Sequence, residues 1–228
     1  MFSGFFDESI MKRAIDNKLI EVNIVNIRDY ANDKHQIVDD SPFGGGPGML
    51  LKIEPLSKAL ESLKHSKIIY TSPQGKTFNQ NIAKELFKEE EITIIAGRYE
   101  GIDERVIEEF VDMEISIGDY VLTGGEIPAM AIIDAVSRLI PGVLGNKASY
   151  EEDSFYNGLL DHPQYTRPAI YKNKKVPDIL LSGNHAKIEE WRLKKSLERT
   201  KERRPDLLEK RKFTKKEMIL LKEIENEK

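Results

Sequence analysis

Ile92-Thr93-Ile94-Ile95-Ala96-Gly97-Arg98-Tyr99-Glu100-Gly101 runs from a short apolar strand into a glycine-bearing loop, and a helix near Asp103 to Phe110 follows. The same order occurs on either side. Lys67-Ile68-Ile69-Tyr70 leads into Thr71-Ser72-Pro73-Gln74-Gly75 and a helix from about Asn79 to Lys88, with Ile82, Leu86 and Phe87 opposite Lys84, Glu85 and Lys88. Met113 to Ile117 leads into a loop from Gly118 to Glu126 and a helix opened by Pro128 and ended by Pro141-Gly142. Strands alternating with helices imply a mainly parallel α/β sheet. In such sheets ligands sit outside the carboxyl ends of the strands, so the three loops are expected to converge on one pocket. Read singly, each glycine loop could equally be a tight turn and nothing more.

Upstream, Asp39-Asp40-Ser41-Pro42-Phe43-Gly44-Gly45-Gly46-Pro47-Gly48 interrupts both periods, and Glu54-Pro55 opens another helix through Leu63. Downstream, residues 145–158 are polar and aperiodic and read as a linker. Pro163, Pro168 and Pro177 follow, then charged helical segments from about Ala186 to Thr200 and from about Thr214 to Glu225. The second domain is expected to be mostly α-helical.

Hydrophobic residues at 39% and charged residues at 32% fit a soluble globular chain. No apolar run approaches the roughly 18–20 residues that span a bilayer, and the acidic, short-cored N-terminus is not a secretory signal. There is no cysteine, which excludes disulfides and thiolate metal sites. A cytoplasmic protein without a membrane partner is expected. The net charge is −4, yet residues 185–216 carry 13 Lys+Arg against 6 Asp+Glu, so +7 there leaves −11 elsewhere. Such asymmetry can place a phosphate-binding surface on an acidic protein, or it can be a solvated helix face.

The loops exclude several chemistries. After Gly44 and Gly46 the position that a dinucleotide-binding fingerprint needs as glycine is Met49. Gly75-Lys76 has Tyr70 where a P-loop needs its first glycine, and no nucleophile elbow is present. The histidines at 35, 65, 162 and 185 lack metal-binding spacing.

Several longer phrases carry a resemblance. They are Gly44-Gly45-Gly46-Pro47-Gly48-Met49, Ser72-Pro73-Gln74-Gly75, Gly97-Arg98-Tyr99-Glu100-Gly101-Ile102-Asp103-Glu104-Arg105, Ser116-Ile117-Gly118-Asp119-Tyr120-Val121-Leu122 and Gly124-Gly125-Glu126. Pro141-Gly142-Val143-Leu144-Gly145, Glu152-Asp153-Ser154-Phe155, Thr166-Arg167-Pro168 and Leu181-Ser182-Gly183-Asn184-His185 complete them. From about Lys12 to Leu208 the chain closely resembles the bacterial tRNA (guanine-N1)-methyltransferases of the TrmD type, in the SPOUT class. The resemblance implies a SPOUT cofactor-binding domain over residues 1–144 with a deep trefoil knot. A linker at 145–160 and an α-helical tRNA-binding domain at 161–228 would follow. It further implies S-adenosylmethionine as methyl donor, an obligate homodimer with active sites between subunits, and tRNA guanosine 37 preceded by guanosine as target. Family members usually begin with a short apolar strand leading into Phe-Pro-Glu-Met-Phe, whereas this chain starts at the counterpart of its last two residues, Met1-Phe2. Either the start is truncated or this member lacks that strand, which would expose a sheet edge or apolar face.

Guanine N1 carries a proton at neutral pH, so methylation there needs a general base. Asp153 matches the family's base, although by its residues alone it fits the first turn of a helix capped by Ser149-x-x-Glu152. Arg138 matches a catalytic position and could stabilise charge at guanine O6, where its apolar neighbours alone suggest a snorkelling surface arginine. Glu100 is a further candidate for positioning, directly or through a metal ion such as Mg2+; no residue is assigned as a metal ligand. For the cofactor, Gly97, Gly118, Gly124 and Gly125 admit close backbone approach, while Ile117, Tyr120, Val121 and Leu122 offer an apolar slot. Pro73 and Pro128 stiffen its walls. Thr71, Ser72, Ser116 and Asp119 belong to the same loops, and Tyr70 and Tyr99 are neighbours or ordinary core residues. Lys and Arg of the second domain would meet tRNA phosphates, and the 145–160 segment would close over a flipped-out guanine. Rival readings are a SPOUT enzyme acting on another RNA position and an RNA-binding protein without catalysis; intact Asp153, Arg138 and loops argue against the latter.

Overall fold

The computed structural model describes residues 1–63, 66–145, 153–209 and 211–227. His65, Ser149 and Glu152, and with the last two the expected capping box, lie outside the described residues. The chain divides into two units, Met1–Asn146 and Lys147–Lys228.

The first unit contains α1 (Phe2–Phe6), α2 (Ser9–Asp16), β1 (Asp39–Asp40), β2 (Leu50–Leu51), α3 (Ile53–Glu61) and β3 (Lys67–Thr77). After these come α4 (Gln80–Leu86), β4 (Ile92–Ile95), α5 (Glu104–Phe110), β5 (Met113–Ser116) and α6 (Glu126–Ser137). β3 lies between β4 and β5 and runs parallel to both, which is the expected parallel α/β sheet. The path β3–α4–β4 steps one way and β4–α5–β5 steps back across β3. Right-handed crossovers then put α4 and α5 on opposite faces. The packing agrees. Ile68 and Tyr70 pack with Ile95, with Leu56 and Leu60 of α3 and with Val106 of α5. Ile69, fully buried, alternates to the other face, where α4 meets α6. Asn79 caps α4 by accepting from the N–H of Asn81 and Ile82 at 2.9 and 3.2 Å.

Two local expectations need correcting. β3 does not end at Tyr70: the chain stays extended through Thr77, and both Thr71 and Lys76 fall opposite Ile115. Ser72–Gly75 is thus a bulge within a strand, where proline and glycine suggested a free loop. Pro128 does not open α6. Gly125 is the N-cap, and Pro128 occupies the third helical position, where an N–H would still lack an intrahelical partner.

In the second unit, α7 (Asp178–Leu181), α8 (His185–Arg203), α9 (Asp206–Glu209) and α10 (Lys215–Asn226) are joined by a hairpin of β6 (Ile170–Tyr171) and β7 (Lys174–Lys175). Leu159, Leu197, Leu220 and Ile224 form its core. Lys194 of α8 reaches Glu223 and Glu227 at 3.1 and 2.7 Å, and Lys201 reaches Glu225 at 2.7 Å, so α8 and α10 are laced by charge. Of the segment expected as a linker, residues 153–160 belong to this unit: Leu160 donates its N–H to the fully buried Thr200 hydroxyl at 2.9 Å.

Glu217 closes a capping box with Thr214 and pairs with Arg211 at 2.6 Å. Burial pushes its pKa up, but the Arg211 and Thr214 hydrogen bonds outweigh burial and hold the carboxyl below its ordinary 4.5. A depressed folded pKa gives stability that is complete above the unfolded value and lost as pH falls through the folded one. Glu217→Gln should therefore cost about 2–3 kcal/mol in urea unfolding at pH 7. The difference from the native chain should shrink below about pH 4.5. An unchanged midpoint at pH 7 would show that this pair carries no net stability.

Candidate site at the strand ends

The middle of β3, the carboxyl end of β4 and the loop after β5 are tied together by one side chain and one amide. The buried Thr71 hydroxyl lies 3.1 Å from the Ile95 carbonyl and 3.4 Å from the Gly125 carbonyl. Gly125 donates its N–H to the Gly97 carbonyl at 2.7 Å, and Arg98 bridges Gly124 in antiparallel fashion. Arg98 also pairs with Glu126, the first residue of α6, at 2.6 Å. The loops after β4 and β5 are therefore joined to each other and to Thr71, as convergence on one site requires.

Glycine at three of these positions is a matter of space. A Cβ on Gly125 would stand 2.3 Å from the Thr71 hydroxyl and 2.8 Å from Ala96 Cα and Gly97 N. One on Gly97 would lie 2.9 Å from the Tyr70 ring, and one on Gly75 would lie 2.4 Å from the backbone of β5. Gly75 was expected only as a loop glycine; it is the point at which the bulge of β3 presses on its neighbour strand. Tyr70 sits in the core with its ring edge against Gly97, and burial is the main cause that raises its pKa, Glu114 and Glu104 adding to it.

Glu100 is held from two directions. Its N–H donates to the Met49 carbonyl at 3.0 Å, and a Cβ on Gly48 would meet its Cγ at 2.4 Å. The far end of the Gly44–Gly48 loop, whose Gly44, Gly45, Gly46 and Gly48 are all at positive φ, is thereby joined to the β4 loop at Gly48 and Met49. The motif resemblance named both segments, but neither spacing nor period showed that they touch.

The outer side chains of the loops stand in solvent. Tyr99 is 53% exposed, Tyr120 54% and Val121 84%. Ser116 and Gly118 exchange a hydroxyl–carbonyl and an amide–hydroxyl bond at 3.0 and 3.1 Å, and Tyr120 donates to the Ile117 carbonyl at 3.3 Å. The result is a backbone cradle with an apolar rim: Thr71, Ser72, Gly97, Ser116 and Gly125 buried, Pro73, Tyr99, Asp119, Tyr120, Val121 and Leu122 exposed, and Ile117, Gly118, Gly124 and Pro128 between. An aromatic ring and a short aliphatic chain fit such a rim. Among the described residues no group of three His, Cys, Asp or Glu is arranged to hold a metal.

Arg138 is the C-cap of α6, half-buried beside Val136 and Leu139. Asp153 belongs to the second unit and is exposed at the head of a tight turn. Phe155 donates its N–H to the Leu159 carbonyl at 2.7 Å, and the Ser154 hydroxyl accepts from the N–H of Asp161 at 2.9 Å. Arg199 donates to the Asp161 carbonyl at 3.1 Å and Arg211 to the Asn157 carbonyl. The turn is fastened to α8 and its neighbours at several points. Basic residues of 185–216 are largely spent inside the unit: Arg192, Lys194, Lys195, Lys201, Arg204, Arg211 and Lys216 each have a carboxylate partner. Of their partners, Glu217, Glu223, Glu225 and Glu227 lie outside residues 185–216, so the local excess of charge is smaller than +7.

The family profile described as tRNA (Guanine-1)-methyltransferase TrmD matches residues 1–210. Curated relatives extend the likeness over the whole chain. A tRNA (guanine-N(1)-)-methyltransferase of Fusobacterium nucleatum is 66% identical over 227 residues, covering 100% of this chain and 94% of the relative. Proteins of the same name from Alkaliphilus oremlandii and Ruminiclostridium cellulolyticum are 54% and 57% identical, covering 100% and 92% of this chain and 96% and 92% of the relatives. No described helix is long and apolar enough to cross a membrane.

Because the space beside Gly125 is bounded by the Ala96–Gly97 backbone and by the buried Thr71 hydroxyl, Gly125→Ala should lower stability by about 2–3 kcal/mol in urea unfolding. Gly4→Ala, where a Cβ meets nothing within 4 Å, should lose none. Equal behaviour of the two variants would refute the close packing of the three strand ends.

Proposed function

The chain belongs to the TrmD family of tRNA (guanine-N1)-methyltransferases, and we propose that within that activity it methylates N1 of guanosine 37 when guanosine precedes it. The reading rests on the joined strand-end loops, which combine a buried backbone cradle with an exposed apolar rim. S-adenosylmethionine, when bound there, supplies a methyl group already activated on a sulfonium. Tyr120, Val121 and Leu122 would cover its adenine, and the amides and carbonyls around Gly97, Gly118 and Gly125 would hold its polar edges. In the same reading the loops are threaded as a trefoil knot, the second unit carries the tRNA, and the enzyme works in the cytoplasm.

The remaining work falls to side chains. Asp153 takes the N1 proton, so that the N1 lone pair faces the methyl carbon in line with the bond that breaks. Arg138 places its guanidinium at O6, where negative charge grows as N1 loses its proton. Glu100, fixed by Gly48 and Met49, positions the target. We assign Arg138 and Asp153 of one site to different subunits of a homodimer.

Incubation with unmodified tRNA and labelled S-adenosylmethionine, followed by nucleoside analysis, should yield 1-methylguanosine confined to position 37. Product at another guanosine would overturn the assignment of position. Asp153→Asn should lower turnover by roughly 10²-fold or more with cofactor affinity within a few-fold; retained turnover would remove Asp153 as base. Mixing an Arg138→Ala chain with an Asp153→Asn chain should restore one working site per heterodimer. Absence of rescue in verified heterodimers would place both residues in one subunit.

A further inference from the structure

The β6–β7 hairpin lies outside both the cofactor loops and the basic helices, and it has the chemistry of a polyanion contact. Residues 164–175 are exposed without interruption. Between Asp161 and Asp178 the chain holds Arg167, Lys172, Lys174 and Lys175 and no acidic residue. Among the described residues none of these four pairs with a carboxylate, unlike Lys194, Lys201 and Arg211 in the helices behind them. Like charges held this close repel one another, and among the described residues no carboxylate offsets the cost.

The hairpin is nevertheless well formed. Lys172 and Asn173 take left-handed φ of 45° and 64°, as a two-residue hairpin turn requires, and Val176 donates to the Ala169 carbonyl at 2.9 Å to close its base. Below the base, Tyr165 rests 6.5 Å from the Trp191 ring of α8. Tyr171 and Lys174 pair across the strands and share a face, and Lys172 Nζ stands 5.4 Å from the centre of the Tyr171 ring. Tyr171 is 61% exposed and Ile170 56%. The hairpin thus presents two ammonium groups, of Lys172 and Lys174, beside an open aromatic ring and a third, of Lys175, on its other face, a combination suited to phosphates with an adjoining sugar or base.

We propose that this hairpin is a principal phosphate-contacting element of the second unit, seating the backbone of the tRNA. The proposal rests on the tRNA reading above and transfers the contact from the basic helical run to the hairpin. The test compares the full chain with Lys172→Ala/Lys174→Ala/Lys175→Ala, all three exposed, by equilibrium binding of an unmodified tRNA transcript from 50 to 200 mM salt. The slope of log affinity against log salt should become shallower by about 2–3, since each phosphate neutralised contributes about 0.9. At mid-range salt the affinity should fall roughly 10- to 100-fold, and the KM for tRNA should rise. Turnover at saturating tRNA and affinity for S-adenosylmethionine should not change. Lys194→Ala, whose ammonium group is already paired, should leave the slope within one unit. A folded triple variant with native slope and affinity, in a parent chain that methylates tRNA, overturns the hairpin assignment alone. A parent chain that neither binds nor methylates tRNA overturns the function it rests on. Loss of binding to anionic lipid vesicles with tRNA binding intact would assign the arm to a membrane surface and overturn the proposal.

Discussion

The hydroxyl of Thr71 is the point on which the first unit's site depends. It lies within hydrogen-bonding distance of the carbonyls of Ile95, the last residue of β4, and Gly125 in the loop after β5, and the hydrogen bond from the Gly125 amide to the Gly97 carbonyl closes the same contact. β3 stays paired with β5 past Thr71, but β4 has no partner beyond Ile95, so the loop after it is free to diverge. Here a buried side chain and an amide hold that loop to Gly125. The contact is possible only because positions 97 and 125 lack a Cβ. The same glycines therefore set the shape of the cradle and the distance between the strands, and the two roles cannot be separated by mutation.

Much of this architecture was legible in the residues. Alternating strands and helices with glycine at each strand end imply a parallel sheet and a ligand site, and the caps Asn79 and Asp103 stand where polar residues precede apolar periodicity. What could not be read was pairing. Ser72-Pro73-Gln74-Gly75 has loop composition, yet β5 continues alongside it, and only the partner strand makes a bulge of it. Pro128 looks like a helix start because proline favours the first turn, but the turn is three positions wide. The hairpin at 170–175 escaped because its strands are two residues long and its turn is Lys172-Asn173 instead of an asparagine–glycine pair.

Charge was misjudged for a related reason. A count along residues 185–216 sees the basic side of α8 and omits the acids of α10, which are close in space and later in sequence. Lys194 illustrates the difference: with Glu223 and Glu227 both bonded to it, its pKa is raised and its charge is committed to holding two helices together. Over residues 147–228 there are 20 Lys+Arg against 15 Asp+Glu, so a net +5 survives. The surplus then has to reside on basic groups without a carboxylate partner, and four of these, Arg167, Lys172, Lys174 and Lys175, fall within nine residues that carry no acid at all.

The two units solve opposite problems with the same materials. In the first, backbone groups must be presented and side chains kept away, so glycine is placed where a Cβ would strike Thr71, Tyr70 or the β5 backbone. In the second, one carboxylate must be presented and its backbone kept still. Asp153 is the base only in the reading proposed above, and a base must be held within hydrogen-bond reach of its proton, which a free loop would not do. Asp153 meets both demands: its side chain is exposed, while Thr200, Arg199 and Arg211 grip the main chain of the turn that follows it. Two of those three anchors are arginines from the basic run, so that run fixes the turn after Asp153, the proposed base, before any contact it makes with RNA.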